Sequence, residues 1–125
     1  MSRYQKDLGD FGERAAAVYL QQCGCRILAR NFHVSGGELD LVAETEAYLI
    51  FAEVKTRSSA RFGSPSEAVD RRKQLHMRRA AEAWLLQYPT DKEVRFDVLE
   101  VYASFVRGEP FLRQIHHIAG MIMEV

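Results

Sequence analysis

Three side chains near the middle of the sequence are of the types that phosphodiester chemistry uses: Asp40, then Glu53 and Lys55 in the run Glu53-Val54-Lys55. Their setting is apolar. Leu49-Ile50-Phe51-Ala52 precedes them, so residues 48–56 read as a strand covered on both faces, with the charges where it leaves the core. Alternation puts Leu49, Phe51, Glu53 and Lys55 on one face and Ile50, Ala52 and Val54 on the other. Residues 38–44 alternate as well, with Glu38, Asp40 and Val42 sharing a face.

A hairpin whose turn centres between Glu46 and Ala47 places Asp40 opposite Glu53 and Glu38 opposite Lys55. Side chains so opposed start roughly 5 Å apart, and like charges there destabilise the pair. A Glu38–Lys55 ion pair relieves part of the strain, but Asp40 facing Glu53 still needs a partner. A divalent cation supplies one, because Mg²⁺ accepts one or two carboxylates together with a carbonyl and waters. The other reading is an ion-pair network at the sheet edge, with Arg57 or Arg30 neutralising the acids. A slip of one residue in register would remove the opposition.

Other elements must hold this hairpin. Residues 7–22 read as a helix stopped by Gly24, with Leu8, Phe11, Gly12, Ala15, Val18 and Tyr19 on one face. Residues 25–32 read as a strand closed by Ser35-Gly36-Gly37. After the loop 57–63, Ser64-Pro65-Ser66-Glu67 offers a capping box with proline at the first helical position, opening a helix that runs to about Tyr88 before Pro89. Residues 94–101 form a fourth strand and 111–118 a fifth, followed by an apolar tail. The order α-β-β-β-α-β, with one added strand, predicts an α/β fold: a mixed sheet flanked by helices. With 125 residues and no linker or repeat, one domain spanning 1–125 is expected.

Seventeen basic and seventeen acidic residues cancel, which argues against a generic polyanion binder. Yet 71–79 holds Arg71, Arg72, Lys73, Arg78 and Arg79 and no carboxylate. Lys73 lies on a seam with Val69, Ala80 and Trp84, while Arg72, His76 and Arg79 share a neighbouring stripe. Beside candidate metal ligands such a helix suits phosphate contacts; alone it reads as a solvated basic face. No segment has the pattern of a signal peptide or a membrane span. Cys23 and Cys25 are too close to brace a fold and fit a reduced, cytoplasmic setting. Cys-Gly-Cys lacks a second Cys/His pair with ligand spacing. Asp97 is expected to pair with an arginine, and His116-His117 reads as structural.

Asp40 followed by Glu53-Val54-Lys55 resembles the core of the PD-(D/E)xK nuclease superfamily. More closely, Gly12-Glu13-Arg14-Ala15-Ala16, Arg30-Asn31-Phe32, Gly37-Glu38-Leu39-Asp40-Leu41-Val42-Ala43 and Glu53-Val54-Lys55-Thr56-Arg57 resemble the YraN-like family, related to archaeal Holliday junction resolvases. Phe62-Gly63-Ser64-Pro65-Ser66-Glu67-Ala68-Val69 and Arg95-Phe96-Asp97-Val98 extend the likeness over nearly the whole chain. It departs at Leu39, where the superfamily's motif has proline, and at Arg78, which stands four residues after Gln74 where some exonuclease branches have tyrosine.

The resemblance implies a restriction-endonuclease-like core in which Asp40, Glu53 and the Val54 carbonyl hold Mg²⁺ or Mn²⁺. Lys55 would orient the attacking water and Glu13 would approach the metal from the first helix. On this reading Arg57, Arg71, Arg72, Lys73 and Arg79 grip nucleic acid, with Arg61 in the same loop as Arg57. The expected activity is metal-dependent hydrolysis of DNA, on branched or structured substrates. Cutting a four-way junction symmetrically would need a homodimer, for which the apolar tail 118–125 is the candidate surface. The rival is a non-catalytic nucleic-acid-binding or scaffold protein that keeps the fold.

Overall fold

The first helix, α1 (Arg3–Gln22), starts earlier than its apolar pattern indicates and ends where Gly24 takes φ 93°. The Cys25 N–H then reaches back to the Leu20 carbonyl at 2.9 Å. The structure, a computed structural model, describes residues 3–58 and 69–123. The expected capping box Ser64-Pro65-Ser66-Glu67, Arg61 and the motif residues Phe62 to Ala68 lie outside them.

The buried stripe of α1 is Leu8, Gly12, Ala16, Ala17 and Leu20, which keeps Leu8 and Gly12 of the expected face but not its bulkier members. Val18 is 49% exposed, and Phe11, Ala15 and Tyr19 lie only part-buried. Small residues win because they let the helix lie close to the sheet. Gly12 sits so near Thr56 that a Cβ there would overlap its hydroxyl.

Five strands follow: β1 (Arg26–Val34), β2 (Gly37–Glu44), β3 (Tyr48–Arg57), β4 (Glu93–Val106) and β5 (Glu109–Ile118). They form one sheet in the order β1-β2-β3-β4-β5. Only β3 and β4 run parallel, because the second helix, α2 (Arg71–Gln87), crosses between them; the other neighbours are antiparallel. This is the α-β-β-β-α-β core with an added strand. The start of α2 differs from the expected one: Val69 and Asp70 are not helical, and Asp70 is the cap, its carboxylate accepting the Lys73 N–H at 2.8 Å.

The sheet carries apolar side chains on both faces. Ile50, Ala52, Val54, Leu99 and Val101 pack with Ala16, Ala17 and Leu20 of α1. Leu49, Phe51 and Val98 pack with Met77, Ala80, Ala81 and Trp84 of α2. The two faces of β3 are therefore those its alternation predicts, and Glu53 continues the α2 side.

In β2 the alternation breaks. Leu41 and Ala43 join the α1 side, whereas Val42 and Leu39 both join the α2 side. The residue of β1 between the pairs Arg30↔Leu41 and Phe32↔Leu39 is Asn31, with φ 50°. A left-handed residue inside a strand turns the chain locally, and asparagine is among the few types that accept it. Leu39, expected on the face opposite Glu38 and Val42, therefore turns to the α2 side with Val42, at the point where the charged residues cluster.

At the far edge, Asp97 is fully buried and takes two bonds from Arg95, both 2.9 Å, one from the Gly120 N–H at 3.0 Å, and one shared with His117 Nε2 at 2.7 Å. His117 Nδ1 meets the Tyr19 hydroxyl at 3.0 Å. Asp97 pairs with an arginine as expected, and His117 ties α1 to β4 and β5. Ile118, Met121 and Met123 of the tail pack onto the protein's own core, while Ile122 is exposed.

Candidate metal and phosphate site

The β2–β3 ladder has the expected register, from Glu44↔Leu49 to Leu41↔Ala52, and ends one pair short of Asp40 and Glu53. Where the ladder stops, Asp40 Oδ2 accepts the Val54 N–H at 2.8 Å. A side chain thus does the work of a ladder bond, and the two strands part around it.

Glu53 is 2% exposed. Both neighbouring lysines reach the same oxygen: Lys73 Nζ lies 3.3 Å and Lys55 Nζ 3.8 Å from Oε1. The other oxygen, Oε2, is buried with no hydrogen-bond partner. Burial, and then the charge of Asp40, push the Glu53 carboxyl up to about 8, although Lys73 and Lys55 pull the other way. Glu13 is part-buried and lies three, four and seven residues before Ala16, Ala17 and Leu20, which α1 buries. Burial and then Asp40 raise its carboxyl too, while a hydrogen bond with Asn31 lowers it. The Asp40 charge thus acts on both Glu53 of β3 and Glu13 of α1.

The expected Glu38–Lys55 pair does not form. Glu38 Oε1 instead accepts from Lys73 Nζ at 2.6 Å, and Oε2 lies 3.7 Å from His33 Nδ1. The ladder that would have put Glu38 across from Lys55 has already ended. Gly37, next to Glu38, instead touches α2 backbone to backbone, and this brings Lys73 over. The Lys73 bond holds the Glu38 carboxyl below its usual range. Burial would lower the Lys73 ammonium, but Glu38, Glu53 and Asp40 outweigh it and hold it above its ordinary value.

The remaining cations divide. Arg57 Nε bonds Glu100 Oε2 at 3.2 Å, so it serves that buried acid rather than Asp40 or Glu53. Arg30 acts electrostatically on Glu13. Arg79 lies against the Gly36 turn, and Arg71 is exposed. Arg72, Lys55, Asp70, Lys73 and His76 line an open hollow of about 250 Å³. The structure thus brings together Glu13, Asp40, Glu53, Lys55 and Lys73, puts Arg72 beside them, and leaves Arg57, Arg71 and Arg79 around the rim.

Three participants escaped the sequence reading. Glu38 was legible only as a partner of Lys55. Asn31 carries no local signal for its left-handed turn. Glu100 stands in a strand where alternation with Val98 would have placed it on the Glu53 face, a signal that was there to use. Its Oε1 is, with Glu53 Oε2, one of two buried side-chain oxygens without a hydrogen-bond partner among the described residues.

The donor set suits a hard divalent cation. Asp40 and Glu53 offer carboxylate oxygens, Val54 offers a carbonyl, and the partnerless Oε2 of Glu53 marks where positive charge is lacking. Among the described residues no three His, Cys, Asp or Glu side chains close on one point. The cation would therefore keep several waters, as Mg²⁺ does.

A mixed-sheet α/β protein with an acid–lysine cluster where two central strands part is the class these features define. The chain belongs to the uncharacterised protein family UPF0102, the YraN family, whose pattern matches residues 12–101. It is 48% identical over 97 residues to the UPF0102 protein of Syntrophomonas wolfei, covering 77% of this chain and 84% of that one. With the UPF0102 protein of Beutenbergia cavernae it shares 40% identity over 120 residues, 95% of this chain and 98% of the relative. A Parafrankia relative is 48% identical over 101 residues, 80% and 86% of the two chains. The family expected from the sequence motifs is the family found. Among the described residues no helix is long and apolar enough to cross a membrane.

Proposed function

We propose that this protein is a divalent-metal-dependent endonuclease of the PD-(D/E)xK type, hydrolysing phosphodiesters in DNA. The observation that carries the reading is Glu53: a buried carboxylate beside Asp40, with two lysines on one oxygen and no hydrogen-bond donor on the other. Mg²⁺ or Mn²⁺ held by Asp40, Glu53 and the Val54 carbonyl would polarise a phosphoryl oxygen and acidify a bound water.

Lys55 opens onto the hollow that Arg72 shares, which suits it to orient the attacking water and to offset charge gathering on the phosphate. Glu13, fixed through Asn31, supports the acidic side of the site. Arg71, Arg72 and Arg79 are exposed and can hold backbone phosphates, which position a nucleic acid without reading its sequence. Arg57 and Lys73 join them only by exchanging a carboxylate for a phosphate. Branched or structured DNA is the substrate that the likeness to junction resolvases suggests; symmetric cutting of a junction would call for a homodimer, and the two free cysteines suit the cytoplasm.

A non-catalytic scaffold that binds nucleic acid is the second reading. The ion pairs of Lys73 and Lys55 favour it, because they supply Glu38 and Glu53 with counter-charges without any metal.

Mn²⁺ titration calorimetry on wild type and Asp40→Asn separates the two, followed by cleavage assays on duplex, flap and four-way DNA. The nuclease reading expects wild-type binding that weakens at least about tenfold in the variant, and metal-dependent cuts. Equal affinity in both proteins sinks the metal site. Binding without cleavage of any substrate supports the scaffold.

A further inference from the structure

Lys73 stands in the helix expected to grip phosphates, yet its ammonium points inward. It lies 2.6 Å from Glu38 Oε1 and 3.3 Å from Glu53 Oε1, closer to Glu53 than Lys55 is. Its side chain is 23% exposed, against 36% for Lys55. A long flexible side chain held this way gives up rotamer entropy worth up to about 2 kcal/mol, so something must fix it.

Three contacts do so. At its root, the Lys73 N–H is bound by the Asp70 cap. At its tip, Glu38 accepts the ammonium. Between the two elements, Gly37 packs so tightly that a Cβ there would come within 2.7 Å of the Ala80 nitrogen and 2.8 Å of the His76 carbonyl oxygen. Helix and strand are thus seated on each other one residue away from Glu38.

The consequence falls on Glu53. With Lys73 and Lys55 both on Oε1, the carboxylate cannot turn freely, and Oε2 is the oxygen left without a partner. We propose that Lys73, braced by Glu38, is a positioning residue that locks Oε1 of Glu53 and so presents Oε2, with Asp40, to a divalent cation. Glu38, as the partner of this ammonium, offsets its charge. Lys73 thereby orients the ligand without strongly repelling the metal. This rests on the metal-site reading of Asp40 and Glu53.

Mn²⁺ affinity, measured by calorimetry on the full chain, tests it for wild type, Lys73→Met, Glu38→Gln and the double variant. A lysine that was only a nearby positive charge would repel Mn²⁺, so its removal would tighten binding. A positioning lysine gives the opposite sign: Lys73→Met weakens Mn²⁺ binding by about tenfold or more, as loss of an outer-shell partner typically does. Glu38→Gln weakens it in the same direction, and the double variant binds no worse than Lys73→Met alone. Thermal melting accompanies each variant, and if Lys73→Met does not fold, Lys73→Gln, which likewise removes the charge, carries the test. Unchanged or tighter binding in folded Lys73→Met, or in Lys73→Gln where that carries the test, overturns the proposal while leaving the metal site standing. No binding by wild type overturns the metal site and this inference together.

Discussion

Glu53 is buried beside Asp40 and two lysines, and the consequences can be read through pH. In an unfolded chain it titrates near 4.5, but in the fold burial and Asp40 hold its proton up to about 8. Between those values the folded protein keeps a proton that the unfolded chain has lost. The contribution to stability is therefore complete below about 4.5 and disappears as pH rises through about 8. The melting temperature of the metal-free protein should fall across that window by about 5 °C or more. Glu53→Gln should abolish this component of the slope, and Mn²⁺ should raise the melting temperature more at pH 8 than at pH 5. Scanning calorimetry of both proteins with and without Mn²⁺ checks this; equal slopes in wild type and Glu53→Gln would deny Glu53 its role.

At the scale of elements, the contact between α2 and the β1–β2 turn decides which lysine meets which acid. Gly37→Ala forces a methyl group against the Ala80 nitrogen and the His76 carbonyl, both main-chain atoms of a helix. Neither can yield alone, so α2 must shift as a body, at about 1–3 kcal/mol. Urea unfolding should show that loss, with Mn²⁺ affinity falling as well, since Lys73 travels with the helix. A variant with wild-type stability and affinity would mean that the two elements are not seated through this contact. The same scale shows where local patterns succeed. The hairpin register and the two faces of β3 follow from turn position and a two-residue period. Two expectations give way: the bulky part of the α1 face, because small residues that permit close approach outrank Phe11, Val18 and Tyr19, and the two-residue period of β2, which breaks at Leu39 beside the left-handed Asn31.

For the whole molecule, zero formal charge conceals an uneven distribution. Arg71 and Arg72 are exposed near the N-terminal end of α2, and Arg72 shares its hollow with Lys55. If both contact phosphates, replacing each with alanine should lower affinity for four-way and duplex DNA alike. The slope of log affinity against log salt should shrink by about one per residue. Binding measured across a salt series gives the answer, and an unchanged slope would place the phosphate contacts elsewhere. Arg57 behaves differently. Its loss also strands the buried Glu100 carboxylate, so Arg57→Ala should cost stability as well as binding.

The sequence by itself determined the order of elements, the hairpin register, the buried faces of β3, and the family, because these depend on local periods, turn chemistry and residues in fixed order. It singled out Asp40, Glu53, Lys55 and Glu13, and the fold gathers all four. Only the tertiary structure decided the partners of the long charged side chains. Lys73 looked like a phosphate contact and turns to Glu38 and Glu53; Arg57 looked like a clamp and turns to Glu100. The ammonium or guanidinium lies several bonds from its backbone, so its partner depends on where one element lands on another. A bare glycine at position 37 and a left-handed asparagine at position 31 set that landing here.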